Sequence, residues 1–299
     1  MKKIIIPVIF VLLLSFLLIQ RSDFTIANQE IKVESVDLFR PLSKDKINEL
    51  NLESNNFLSV FIKDGKEIIL SEKKADEVIA IASLTKLMTA IIVLENYNLD
   101  DLIQISASAI ATYGDAGNLQ IGEIMTIRDL LYITLIESSN DGAEALAEKM
   151  GVSTFVYKMN EKATSLGMNN TWFINPSGLD EENLYNFSTV NDLKKMVVYI
   201  LENHSLIAEI LSLPEKELTS HSGISRTIRN TNVLLEESDA YLWGKTGYTN
   251  RANGCLILIL NNFSINNNQG YVINIIAGAD DKFGEARKLE QWLKESFIW

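Results

Sequence analysis

Residues 81–90 read Ile-Ala-Ser-Leu-Thr-Lys-Leu-Met-Thr-Ala, and they begin a segment that stays largely apolar as far as Tyr97. Apolar residues recur along it at helical spacing, at Leu84, Leu87, Met88, Ile91 and Leu94. A helix that is apolar on almost every side belongs at the centre of a core. We therefore predict a buried helix over residues 81–97.

Ser83 and Lys86 lie at the first turn of this helix, three residues apart and so on one face. A reactive serine needs a base, and a lysine serves if it is held neutral. The positive end of a helix favours an alkoxide and disfavours a charged lysine. The chain has two histidines, His204 and His221, and neither has the spacing of a metal site or a catalytic triad. Ser83 and Lys86 are therefore our candidate nucleophile and base.

The pattern Ser-x-x-Lys is weak evidence when it stands alone. It occurs twice more, at 43–46 and 71–74, in charged segments that open no apolar helix. Two further motifs strengthen the assignment.

The first is Ser138-Ser139-Asn140, in a short junction between two predicted helices. The Ser138 hydroxyl and the Asn140 amide can relay a proton and hold a substrate amide there. The structural alternative is that Asn140 or Asp141 merely caps the following helix.

The second is Lys245-Thr246-Gly247, on a predicted strand, where the glycine allows a substrate backbone to approach closely. Gly244-Lys245-Thr246 also resembles the end of a phosphate-binding loop. That interpretation fails because position 239, where the loop requires glycine, is aspartate.

The remaining pattern predicts an α/β fold of the α+β type, with an antiparallel sheet of about five strands, flanking helices and a helical subdomain. Residues 57–70 form a hairpin around Asp64-Gly65, a strong turn signal. The last part of the chain supplies three strands, at 243–249, 255–261 and 271–277, and a closing helix over 281–297.

Composition excludes several classes of partner. The 299 residues are 47% apolar, and the net charge is −12. Binding of nucleic acid or of an anionic lipid surface requires a basic patch on the protein, and this acidic composition argues against one. Cys255 is the one cysteine, lies in an apolar strand and is predicted to be buried. We expect no disulfide, metal or cofactor.

The amino terminus predicts export from the cytoplasm. Lys2-Lys3 precede an apolar run from Ile4 to Ile19, which spans about 24 Å as a helix, close to the roughly 30 Å of a bilayer core. We expect a signal anchor over residues 1–21, with a cleaved signal peptide as the alternative. A linker then covers 22–52, and the catalytic domain covers 53–299.

The three motifs, in this order along the chain, are the signature of the β-lactamase and penicillin-binding-protein class. The sequence also resembles the D-alanyl-D-alanine carboxypeptidase family across about residues 55–299. The similar stretches are residues 81–90, Phe155 to Asn160, Leu166-Gly167-Met168, Asn175 to Asp180 and Asn230-Thr231-Asn232.

This resemblance implies an enzyme that removes the terminal D-Ala of peptidoglycan stem peptides through an acyl-enzyme on Ser83, and that β-lactams inhibit covalently. It makes Lys86 the base and gives Ser138 and Asn140 proton relay and substrate binding. Lys245, Thr246 and Gly247 would bind substrate and its carboxylate. The oxyanion would lie between the backbone N–H groups of Ser83 and Tyr248.

Three alternatives remain open. A class A-like β-lactamase needs a deacylating glutamate, which residues 181–185, Glu-Glu-Asn-Leu-Tyr, match only in part. An inert wall-binding scaffold would keep the fold alone. A cross-link endopeptidase would cut a different D-Ala bond. Many relatives carry an arginine for the substrate carboxylate where our alignment places Tyr271, and we suggest that Arg251 compensates.

Overall fold

The computed structural model describes residues 42–43, 49–114, 117–238, 240–265 and 268–298. The predicted signal anchor, residues 1–21, lies outside these ranges. Among the described helices, none combines the length and the apolar character needed to cross a membrane.

In chain order the strands are β1 (Leu42–Ser43), β2 (Asn56–Lys63), β3 (Lys66–Lys73), β4 (Ile79–Ala80), β5 (Leu102–Gln104), β6 (Ile124–Thr126), β7 (Phe187–Ser188), β8 (Glu215–Thr219), β9 (Ser225–Arg229), β10 (Tyr241–Thr249), β11 (Asn253–Ile265), β12 (Asn268–Ala279) and β13 (Phe297–Ile298). The α-helices are α1 (Thr85–Asn96), α2 (Ala107–Ile110), α3 (Ile127–Ile136), α4 (Asn140–Glu148), α5 (Val152–Ser165), α6 (Val190–Asn203), α7 (Ser205–Ser212) and α8 (Lys282–Ser296). Two short 3₁₀ turns cover Ala82–Leu84 and Val233–Glu236.

Five strands form one antiparallel sheet in the order β10-β11-β12-β2-β3, which confirms the predicted fold class. The turn between β2 and β3 has positive φ at Asp64 and Gly65, 51° and 70°, as a tight hairpin turn requires. Ile275 of β12 pairs with Leu58 of β2. The last long strand of the chain therefore lies beside the first, and the helical middle is inserted between them in sequence.

The sheet separates two cores because successive residues of a strand point to opposite faces. In β11, Cys255, Ile257 and Ile259 join the larger core, which the sheet forms with the helices of the middle segment. Leu256, Leu258 and Leu260 face the other way and pack with Leu289 and Leu293 of α8.

Helix α1 lies at the centre of the larger core, as its sequence predicts. Every residue from Thr85 to Val93 is buried, and α1 packs against α3, α4, α5 and α6. The difference from the prediction is at its start, where Ala82–Leu84 forms a separate 3₁₀ turn and Ala82 has a positive φ of 46°. Ser83 therefore lies on a tight turn at the helix entrance.

Ser139 and Thr189 cap two helices of the middle segment. Ser139 caps α4, since its Oγ accepts from the Gly142 N–H at 3.1 Å, and neither Asn140 nor Asp141 does so. Thr189 caps α6, with the Asp192 N–H as donor. Because Ser139 caps α4, the Asn140 side chain is available for other contacts.

The hairpin of β8 and β9 and helix α7 are not predicted from the sequence. In the hairpin, Leu218 and Ile228 are buried while the residues beside them are polar and more exposed, so its apolar pattern is faint. The segment after it contacts the end of α3, where the Thr231 N–H donates to the Ile136 carbonyl at 3.1 Å. The segment after the hairpin therefore packs against the end of α3, just before the junction that carries Ser138.

Candidate active site

The structure brings Ser83 and Lys86 together at the entrance of α1. The Lys86 Nζ lies 2.8 Å from Ser83 Oγ, 2.7 Å from Asn140 Oδ1 and 2.7 Å from the Ser177 carbonyl oxygen. The Lys86 side chain is fully buried. The pKa of Lys86 lies well below its usual value, first because burial disfavours the charged amine and then because the Lys245 charge is close.

These contacts determine where the Lys86 lone pair points. A neutral amine has two N–H donors and one lone pair. The Ser177 carbonyl can only accept, and so can Asn140 Oδ1, because Asn140 Nδ2 donates to the Tyr113 carbonyl at 2.7 Å and fixes the amide orientation. The lone pair is thus left for the Ser83 hydroxyl, which gives Lys86 the geometry of a general base.

Ser138 and Lys245 form the second part of the site. The Lys245 Nζ lies 2.8 Å from Ser138 Oγ and 3.0 Å from the Thr246 carbonyl. Ser138 has a positive φ of 61°, a strained conformation for a residue other than glycine. The pKa of Lys245 falls to about 7 because of burial and, secondarily, the charge of Lys282.

Thr246 extends this part of the site toward the β8–β9 hairpin. Its Oγ1 lies 2.6 Å from the Thr231 Oγ1, so the two hydroxyls share a hydrogen bond. Thr231 lies two residues after the end of β9, so the segment that follows the unpredicted hairpin contacts Thr246 on β10.

Two glycines allow the turn that carries Ser83 to pack tightly. A Cβ on Gly247 would lie 3.2 Å from the Ser83 backbone nitrogen, and one on Gly178 would lie 2.0 Å from the Ala82 carbonyl oxygen. The distance at Gly178 is too short for the backbone to stay in place, and the distance at Gly247 is tight. The turn is therefore enclosed between β10 and the loop 175–178.

Tyr248 and Arg251 lie at the exposed rim after this strand segment. Tyr248 is 62% exposed. The Arg251 guanidinium stacks on the Tyr185 ring at 4.5 Å from its centre, and its Nη2 donates to the Glu182 carbonyl at 3.4 Å. Arg251 is thus held against the loop 182–185.

Tyr271 does not lie directly across the sheet from Lys245. Across the sheet, Lys245 pairs with Ile257 and Ile257 with Ile275, so Tyr271 lies four residues, about 13 Å, further along β12. It faces a different end of the sheet from Thr246 and Gly247.

Sequence reasoning missed two contributors to the site. The Ser177 carbonyl belongs to a loop identified only by resemblance. Lys282 follows β12 as the first residue of α8, and its Cβ lies 3.4 Å from where a Cβ on Gly254 would be. Gly254 pairs with Tyr248, which places Lys282 near the rim. The sequence signal that could have identified Lys282 is a lysine just after the last strand of the sheet that also carries Lys245.

Other chemistry has little support in the described part of the chain. Cys255 is buried as predicted, and burial raises the pKa of its thiol to about 11, which makes it unreactive. No group of three or more histidine, cysteine, aspartate or glutamate residues there is arranged to hold a metal ion.

The fold and the serine–lysine geometry together define a class of serine hydrolases that lack a catalytic histidine. Residues 44–280 match the sequence model of the D-alanyl-D-alanine carboxypeptidases, peptidase family S11. The chain belongs to this family.

Known relatives agree with this assignment. A D-alanyl-D-alanine endopeptidase of Pseudomonas aeruginosa is 34% identical over 237 residues, 76% of this chain and 73% of that protein. The D-alanyl-D-alanine carboxypeptidase DacF of Bacillus subtilis is 34% identical over 218 residues, 71% of this chain and 55% of that protein. The crystal structure of penicillin-binding protein D2 from Listeria monocytogenes in its ampicillin-bound form superposes with a TM-score of 0.70 at 28% identity, covering 83% of this chain and 98% of that one.

Proposed function

We propose that this protein is a serine-type D-Ala-D-Ala carboxypeptidase that removes the terminal D-Ala of peptidoglycan stem peptides. The observation that carries the proposal is the contact between Lys86 Nζ and Ser83 Oγ, which lie 2.8 Å apart. Family membership supplies the substrate class.

In the first half-reaction, Ser83 Oγ attacks the carbonyl carbon of the penultimate D-Ala while its proton passes to Lys86 Nζ. The bond to the terminal D-Ala breaks, and the leaving amine takes the proton held by Lys86, passed on through the Ser138 hydroxyl, so that Lys86 is neutral again. In the second half-reaction, water attacks the ester and gives its proton to Lys86, which returns it to Ser83 Oγ as the carboxylic acid leaves. The backbone N–H groups of Ser83 and Tyr248 hold the oxyanion, and the close approach of Gly247 to the Ser83 nitrogen supports this placement.

Lys245 and Thr246 bind the free carboxylate of the substrate, and Asn140 holds a substrate amide. A buried lysine beside a hydroxyl suits a carboxylate, since charge-assisted hydrogen bonds are the strong ones. We assign Lys282 and Arg251 as additional cations near the rim. β-Lactams would acylate the same serine, and the ampicillin-bound Listeria relative supports this expectation.

The experiment that tests the proposal compares two substrates. Purified protein is incubated with a pentapeptide that ends in D-Ala-D-Ala and, separately, with a D-Ala cross-linked dimer. Release of D-Ala from the pentapeptide is expected. Cleavage of dimers alone would instead support the second candidate, a cross-link endopeptidase, which the name of the Pseudomonas relative favours.

We also propose that residues 53–299 form the catalytic domain and work outside the cytoplasm, with residues 1–21 as a membrane anchor. The amino-terminal apolar run Ile4 to Ile19 supports the anchor. Sequencing the amino terminus of the membrane-fraction protein tests it: a start at Met1 is expected, whereas a start near Asn28 would indicate a removed signal peptide.

A further inference from the structure

A groove of about 770 Å³ lies between helix α5 and the segment that leads toward Ser177. Val156, Phe173 and Ile174 supply apolar lining. Two aromatic side chains also line it and remain open to solvent: Tyr157 is 63% exposed and Trp172 is 53% exposed. An exposed pair of this kind next to a concave apolar surface is typical of a binding site.

The other lining groups are rich in hydrogen-bonding oxygens. Hydroxyls come from Ser153, Thr164 and Ser165, and the carboxylate of Glu161 accepts a hydrogen bond from the Tyr157 hydroxyl. None of the described lining residues is lysine or arginine. A site for an anionic membrane or for nucleic acid would need basic residues. A sugar ring, in contrast, has an apolar face that can stack on the aromatic side chains and hydroxyls that can form hydrogen bonds with the lining oxygens.

Hydrogen bonds hold the wall of the groove in place. Asn160 on α5 makes two hydrogen bonds to the Phe173 backbone, donating to its carbonyl at 2.8 Å and accepting from its N–H at 2.9 Å. Trp172 and Phe187 exchange two backbone hydrogen bonds of 3.0 Å each. A preformed surface loses little ordering entropy when a ligand binds.

The same segment continues from the groove into the active site. Pro176 accepts a hydrogen bond from the Thr89 hydroxyl at 2.6 Å, and Ser177 contacts Lys86. Trp172 is five residues from Ser177, so the two are at most about 18 Å apart. Four stem-peptide residues, the length that separates the scissile carbonyl from the sugar, span up to about 14 Å.

We propose that this groove binds the glycan strand that carries the stem peptide, with the sugar faces stacked on Trp172 and Tyr157. The inference rests on the proposed function for the choice of sugar, since the polymer with D-Ala-D-Ala stems is a chain of N-acetylated hexosamines. The groove then holds the polymer while Ser83 acts on the peptide end.

The test uses the full chain and a β-1,4-linked N-acetylglucosamine hexamer as probe, followed by calorimetry and tryptophan fluorescence. Saturable binding is expected, weakened at least 10-fold in Trp172→Ala and in Tyr157→Ala. The matched control is Ile69→Ala on the edge strand β3, an apolar residue that is 51% exposed, which should bind like the wild type. Thermal unfolding confirms that each variant is folded.

Activity separates this inference from the proposed function. The two groove variants should release D-Ala from a free pentapeptide within twofold of the wild-type rate, but at least fivefold more slowly from pentapeptides attached to intact glycan strands. Hexamer binding without any pentapeptide cleavage would leave the groove inference standing and remove the proposed activity. The groove inference would be overturned if the hexamer did not bind, or if it bound equally to the wild type and the two groove variants. It would also be overturned if the wild type bound phospholipid vesicles or a protein in place of the sugar and the groove variants lost that binding.

Discussion

The Lys245 Nζ and Ser138 Oγ atoms lie 2.8 Å apart although 107 residues separate them in the chain. This contact joins the sheet edge, where Lys245 lies on β10, to the helical side of the cleft, where Ser138 precedes α4. Asn140, two residues further on, contacts Lys86 on α1. Three elements from distant parts of the sequence therefore meet at one serine, and substitutions on each should affect the same reaction.

We expect acylation to depend on Ser83. Ser83→Ala removes the nucleophile, so covalent labelling by fluorescent penicillin should fall to background while the unfolding temperature stays close to that of the wild type. Ser71→Ala is the matched control because Ser71 belongs to another Ser-x-x-Lys match, on β3. Labelling that persists in Ser83→Ala would disprove the assignment.

The pH dependence of kcat/KM should be bell-shaped. Lys86 must be neutral to accept the proton, so the rate falls on the acid side as pH drops through its depressed pKa. Lys245 is charged below its pKa of about 7, so carboxylate binding weakens as pH rises above that value. Steady-state kinetics on a pentapeptide between pH 5 and pH 10 measure both limbs.

Lys245→Arg provides the control for the alkaline limb. Arginine stays protonated throughout this range, so the variant should lose the decline above about pH 7 even if its overall rate is lower. An alkaline limb that is unchanged in Lys245→Arg would assign that titration to another group.

Gly247→Ala should slow acylation roughly 10- to 100-fold, because the added methyl group would displace the Ser83 N–H from the position in which it stabilises the oxyanion. The added Cβ would lie 3.2 Å from the Ser83 nitrogen and 3.2 Å from the Ile81 carbonyl oxygen. Gly223→Ala serves as the comparison, since its Cβ meets no atom within 4 Å but its φ is +82°. That variant should lose stability without losing its acylation rate, measured by stopped-flow with a chromogenic cephalosporin.

The two rim cations should affect substrate binding. Lys282→Ala and Arg251→Ala each remove a charge that attracts the substrate carboxylate, so KM for the pentapeptide should rise about 3- to 10-fold with little change in kcat. The larger effect is expected for Lys282, whose charge already lowers the pKa of Lys245. Unchanged kinetics in Arg251→Ala would show that this arginine does not compensate for a missing cation.

Local patterns predicted much of this molecule. The β-rich apolar stretches and the turn at Asp64-Gly65 predicted the sheet, and the apolar run after Ser83 predicted α1. These signals are strong because strand and helix periods repeat within a few residues. The β8–β9 hairpin was missed because most of its residues are polar, and its position depends on contacts with α3 that no short window contains.

The sequence by itself determined the motifs from which Ser83, Lys86, Ser138, Asn140 and Lys245 are predicted to share one site, since residue type and motif order are properties of the chain. Tertiary structure alone decided which atoms meet. The Tyr113 carbonyl orients Asn140, the Ser177 carbonyl occupies one donor of Lys86, and burial together with a neighbouring charge lowers the pKa of each lysine. Hydrogen-bond direction and desolvation depend on atoms that lie far apart in sequence, so they exist only once the chain has folded.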